Sequence, residues 1–166
     1  MKRRGGGRRR PRRLLVDTNL LLLYIVGSLN PEKIARHKRT DKFTIEDYKL
    51  FLELLRRLGS QIVVTPNILT EVSNLLGQTD EQTRTKPLIL LSTLVPVFEE
   101  RTISSAEAVR LPEFTRLGLT DSTILYLSEE GVAVVTDDFP LYLALQSRGV
   151  EVINFNHLRE ESWREE

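Results

Sequence analysis

Four acids in this chain stand where carboxylates can do chemistry. Asp17 follows the apolar run 14–16, Asp138 follows the apolar run 132–136, Asp121 opens the stretch 119–127, and Glu71 lies between Ile68 and Leu75. Neither run alternates with polar residues, as expected of strands covered on both faces in a parallel sheet. Each run ends near an acid, which places Asp17 and Asp138 at the carboxyl edge where open α/β sheets bind ligands. Asp121 shares a face with Ile124 and Leu125, and Glu71 borders the face of Ile68 and Leu75. At helical spacings of three and four, both acids adjoin surfaces that must pack inward. With parallel strands, all four carboxylates reach one edge. Grouped without a partner they raise one another's pKa values and strain the fold. A divalent cation removes that cost, since Mg²⁺ and Mn²⁺ take hard oxygen ligands and Mg²⁺ leans on a few carboxylates and on substrate phosphate. Such a site lowers the pKa of a bound water, aims it at phosphorus and stabilises the leaving oxygen, which is the chemistry of phosphodiester hydrolysis.

Each acid also has an ordinary reading. Asp17 and Asp121 could cap helices, Glu71 could reach solvent, and Asp138 could serve the turn before Phe139-Pro140. Their joint placement favours the metal site. His37 and His157 read as surface residues, because water as nucleophile needs neither. Arg36, Lys38, Arg39 and Lys42 could guide RNA to an otherwise repellent acidic site, or form a solvated loop. Tyr24 and Phe139 read as core or crevice packing rather than base-stacking platforms, and Trp163 as packing on the domain or staying mobile rather than docking on a partner.

The elements that must position these acids alternate in type. After the first strand, residues 20–26 predict a helix stopping at Gly27, followed by a polar, basic loop or loosely attached helix over 28–41 near the site. Thr44-Ile45-Glu46-Asp47 has the form of a capping box opening a helix whose apolar stripe ends at Gly59. A buried strand over 61–65 leads into a helix with Thr65 as cap and Pro66 in its first position, ending at Gly77. Pro87 opens or interrupts an apolar helix through Leu94, and 95–98 reads as a short edge strand. Ser104 or Ser105 caps a short helix over 106–110, and Thr120 caps another that Gly131 closes. A strand over 132–136, a helix over 140–148 and a last strand over 150–155 complete the order. This alternation predicts an α/β fold, a three-layer α/β/α sandwich with a mainly parallel central sheet.

At 166 residues the chain suits one domain large enough to bury a core. We divide it into a basic, disordered arm over 1–12, a domain over 13–158 and a charged tail over 159–166. The formal charge of +1 hides an asymmetry: residues 1–13 hold eight of the 24 Lys and Arg and no acid, which leaves an acidic remainder. The arm reads as a phosphate-seeking or merely solvated tail. No apolar run approaches the roughly 18 residues that span a membrane, and no secretory signal is evident, so the expected location is cytoplasmic. Having no cysteine excludes disulfides, thiol nucleophiles and thiolate-held zinc.

Together these residues resemble the PIN-domain nucleases. The matching pieces are Val16-Asp17-Thr18-Asn19, Glu71 in the helix after the second strand, Leu119-Thr120-Asp121-Ser122-Thr123-Ile124, and Val134-Val135-Thr136-Asp137-Asp138, in similar order and spacing over residues 13–155. The resemblance implies a Rossmann-like sandwich, an Mg²⁺- or Mn²⁺-dependent endonuclease acting on single-stranded or structured RNA, and frequent homodimers. Carried over by position, Asp17, Glu71, Asp121 and Asp138 are the catalytic and metal-binding cluster, Asn19 and Thr136 polar supports, and Asp137 an extra acid at a variable position. Many small members are toxins paired with an antitoxin, so an inhibitor protein is an implied partner beside the RNA substrate. The competing reading is a catalytically silent PIN-like RNA-binding or scaffold protein. A haloacid-dehalogenase-like phosphatase would want an acid where Asn19 stands. A receiver would want a phosphoacceptor on a middle strand and a lysine near the end of a later one. A dinucleotide site would want a Gly-rich turn after the first strand.

Overall fold

The computed structural model describes residues 12–58, 61–78 and 81–164. Five strands, Arg13–Val16 (β1), Gln61–Val64 (β2), Glu99–Glu100 (β3), Ala133–Thr136 (β4) and Val152–Asn154 (β5), pair in parallel in the order β3-β2-β1-β4-β5. The helices Thr18–Leu29 (α1), Ile45–Leu58 (α2), Pro66–Leu76 (α3), Glu81–Leu94 (α4), Ser105–Ala108 (α5), Phe114–Leu117 (α6), Leu119–Glu129 (α7), Phe139–Ser147 (α8) and Phe155–Arg164 (α9) flank the sheet. The architecture is the three-layer α/β/α sandwich expected. No helix among the described residues is long and apolar enough to cross a membrane.

Strand order decides where a ligand can sit. From β1 the chain steps outward to β2 and β3, then returns to place β4 on the other side of β1. Connections leaving β1 and β4 therefore diverge, and a crevice opens between their carboxyl ends. Leu14, Leu15 and Val16 on β1 are sealed, with Leu15 opposite Val63 on one side and Val134 on the other. α1 is buried almost all round through Leu20, Leu21, Leu22, Leu23, Ile25 and Val26, and it packs against α2, α3 and α4. A helix apolar on every side belongs in the interior, and its first residue follows Asp17 directly.

Local signals held in some places and failed in others. The capping box forms, with Thr44 N donating to Asp47 Oδ2 at 2.8 Å and Asp47 N to Thr44 Oγ1 at 3.1 Å. Thr65 caps α3 through its hydroxyl, and Gly77 ends it. α1, however, runs through Gly27 to Leu29. Gly27 is there for close approach, since a Cβ would run into the Tyr48 ring. Pro87 lies inside α4 rather than at its start. The expected edge strand over 95–98 is a 3₁₀ turn, Val95–Val97, and pairing begins only at Glu99, beyond Pro96 and its missing N–H.

Gly118, with φ 85°, is the cap of α7 in place of Thr120, and α6 before it was not anticipated. The stretch read as a tail forms the second half of α9 as far as Arg164. Arg159 pairs there with buried Asp47 at 2.9 Å and donates to the Lys42 carbonyl at 2.9 Å, tying α9 to the start of α2. Arg12, at the end of the basic arm, pairs with Glu151. The rest of the arm and Gly59 lie outside the described residues.

Gly27→Ala should cost about 1–3 kcal/mol by forcing Tyr48 off α1. A urea melt should show the lower midpoint with an unchanged slope, and pairing the change with Tyr48→Ala should recover less than additive loss.

A candidate acidic cleft

Asp17 is the residue the crevice is built on. Its Oδ1 accepts from Leu20 N at 2.9 Å, which caps α1. Its Oδ2 accepts from the Thr136 hydroxyl and from Asp137 N at 3.0 Å, which ties the end of β1 to the end of β4. The Thr136 hydroxyl in turn accepts from Asp138 N at 3.0 Å, and Asp138 Oδ1 caps α8 by accepting from Leu141 N at 2.8 Å. Each strand-end acid thus starts the next helix, and helix starts carry free N–H groups that favour a carboxylate.

Glu71 and Asp121 complete the set from α3 and α7. Glu71 is exposed and held between two hydroxyls, Thr18 Oγ1 at 2.9 Å and Thr120 Oγ1 at 2.5 Å, so one carboxylate joins the starts of α1 and α7. Asp121 is half-buried. Asp17, Glu71, Asp121 and Asp138 line a single cleft of about 530 Å³, together with Thr18, Asn19, Asn74, Thr120 and Arg39. The structure brings the four predicted acids together.

The remaining predicted residues divide. Thr136 and Asn19 hold the acids, the first through Asp17 and the second through Asn19 Nδ2 donating to Asp137 Oδ1 at 3.1 Å. Asp137 is buried outside the cleft lining, ion-paired with Lys42, and its carbonyl accepts from Asn156 Nδ2 at 2.8 Å. Of the basic residues, Arg39 lines the cleft, Lys42 is committed to Asp137, and Arg36 and Lys38 are exposed away from the lining. Sequence reasoning missed Thr18 and Thr120 as the clamp on Glu71. Their positions beside Asp17 and Asp121 were the available signal.

Electrostatics single out two carboxyls. Burial, then the neighbouring Asp137, pushes Asp17 up from the usual 3.8 to about 8. Burial, then the charges of Asp138 and Glu71, pushes Asp121 up to about 7, with no hydrogen bond from the described residues helping its charged form. Among the described residues, no three acids or histidines stand close enough to share one ion as the side chains lie. The donor chemistry nevertheless fits Mg²⁺ or Mn²⁺, because hard carboxylate oxygens line one cleft and Asp121 is held back from ionising first by burial and then by the charges of Asp138 and Glu71. Searches against protein-family models and against curated proteins find no match to this chain.

A carboxyl whose pKa is raised on folding stabilises the fold below its ordinary pKa and loses that contribution as pH climbs through the raised value. With EDTA present, thermal stability should therefore fall from near pH 4 to pH 8 as Asp121 and Asp17 ionise. Added Mg²⁺ or Mn²⁺ should restore it, with a larger gain in melting temperature at pH 8 than at pH 5. Asp121→Asn should flatten both the pH response and the metal response.

Proposed function

We propose that this chain is an Mg²⁺- or Mn²⁺-dependent endoribonuclease of the PIN-domain kind, cutting RNA phosphodiesters in the crevice between β1 and β4. The observation that supports it is the convergence of Asp17, Glu71, Asp121 and Asp138, distant in sequence, on one cleft at the point where strand order reverses. These four would hold the ion. A divalent cation bound there supplies an acidified water and a counter-charge for the phosphate.

The chain's own groups do the positioning. Asp17 is fixed at both oxygens, so its orientation does not wait on substrate. Thr18 and Thr120 orient Glu71. Arg39, the cation on the cleft wall, offers the phosphodiester an attractive charge among acids that would repel it. A silent RNA-binding scaffold is the second reading, favoured by the spacing that, among the described residues, keeps three acids from sharing an ion as the side chains lie. In the cell the first reading carries a cytoplasmic location, an antitoxin-like inhibitor as partner, and a homodimer, for which Ile89 on α4 offers an exposed apolar residue.

Incubated with end-labelled single-stranded RNA and Mg²⁺ or Mn²⁺, the protein should cleave it, and EDTA should stop the reaction. Asp17→Asn and Asp121→Asn should each lower the rate by about 100-fold or more, Thr120→Val by about tenfold. Water as nucleophile leaves no 2′,3′-cyclic phosphate, so cyclic ends would overturn the proposal. RNA binding without cleavage in both the native chain and the variants would favour the scaffold.

A further inference from the structure

A second cavity of about 370 Å³ is lined by Phe139, Asn154, Asn156, His157, Arg159, Glu160 and Trp163. Two of its walls are aromatic faces left open to solvent: Phe139 is 56% exposed and Trp163 54%. Phe139 lies stacked with Tyr142 at 6.3 Å and 28°, and Tyr142 meets His157 edge to face at 5.6 Å. The Arg159 guanidinium sits 5.2 Å from the ring centres of both Phe43 and Trp163, and its pairing with Asp47 keeps it there. The exposed rings are thus backed by fixed groups.

The groove and the cleft meet at neighbouring residues. Phe139 follows Asp138 directly, and the Asn156 amide that lines the groove holds the carbonyl of Asp137. Its lining sets two exposed rings beside side-chain amides, an imidazole, the Asp47-paired guanidinium of Arg159 and the Glu160 carboxylate. Planar heteroaromatic groups match the exposed rings and amides, because stacking on aromatic rings grips unpaired bases whatever their identity. Bases inside a duplex present no free face.

We propose that this groove is a nucleobase-stacking subsite, holding an unpaired base of the RNA strand whose backbone lies in the acidic cleft. It rests on the nuclease reading for the strand's path and names its substrate as single-stranded. Phe139, read from sequence as crevice packing, is a binding residue in this account.

Trp163 is the chain's single tryptophan, so its fluorescence reports on the groove alone. The full chain, in EDTA so that nothing is cut, is titrated with an eight-nucleotide uridylate, with an abasic strand carrying the same phosphates, and with a duplex of equal length. The uridylate should quench Trp163 and bind about tenfold tighter than the abasic strand, and the duplex should not quench. Phe139→Ala, a change at an exposed position, should bring uridylate affinity down to the abasic level. Trp163→Leu should do the same when binding is followed by anisotropy of labelled RNA. Equal affinity for uridylate and abasic strands, or unchanged binding by Phe139→Ala, would overturn the subsite. Emission that changes with protein concentration alone would assign the groove to a second copy and also overturn it. Base-dependent quenching without any metal-dependent cleavage sinks the nuclease reading and keeps the subsite. Cleavage without base dependence does the reverse.

Discussion

Both oxygens of the Asp17 carboxylate are occupied, and the arrangement of the crevice follows from that. One oxygen caps α1, while the other accepts from the Thr136 hydroxyl and the Asp137 amide at the end of β4. The central strand, the buried helix after it and the neighbouring strand are thereby joined at one buried acid. Capping and site-building are the same set of bonds here. A carboxylate that starts a helix must point along the helix axis at the strand's end, which in a parallel sheet is the ligand edge. Asp138 repeats the device on α8.

Charge compensation around this acid is uneven. Asp137 has Lys42, and Glu71 has two threonine hydroxyls. Asp17 has three donors but sits in full burial beside Asp137, and its carboxyl is driven up despite them. Asp121 faces Asp138 and Glu71 and finds no hydrogen-bond donor among the described residues. Burial and like charge therefore act together on Asp17 and on Asp121, and a cation beside either would relieve both. A fold that keeps such repulsion is giving up stability at this edge, as functional sites commonly do.

The elements bearing the acids were legible because each is announced locally: an unbroken apolar run for β1 and β4, a threonine cap and proline start for α3, an inward-facing apolar spacing for α7. Convergence of the acids followed from parallel strands alone. What was not legible depended on partners far along the chain. Gly27 looks like a helix stop, but its role is set by Tyr48 on another helix. Thr120 looks like a cap, yet its hydroxyl serves Glu71 while Gly118 turns the chain. Residues 159–164 look like a charged tail because Arg159, Glu160, Glu161 and Arg164 are all charged. Arg159 nonetheless finds a buried acid in Asp47, itself visible from sequence only as half of a capping box.

That last pairing links the two cavities mechanically. Asp47 is held by the Thr44 amide on one side and by Arg159 on the other, and Arg159 also donates to the Lys42 carbonyl. Lys42 reaches the opposite way to Asp137, whose amide binds Asp17. A continuous path of polar contacts therefore runs from the start of α2 and from α9 to the acid at the end of β1. Because Asp47 is buried, losing either partner of its ion pair would strand a charge, an outcome that costs roughly 3–5 kcal/mol in comparable interiors. The groove beside α9 and the acidic cleft are thus linked through ion pairs and backbone hydrogen bonds.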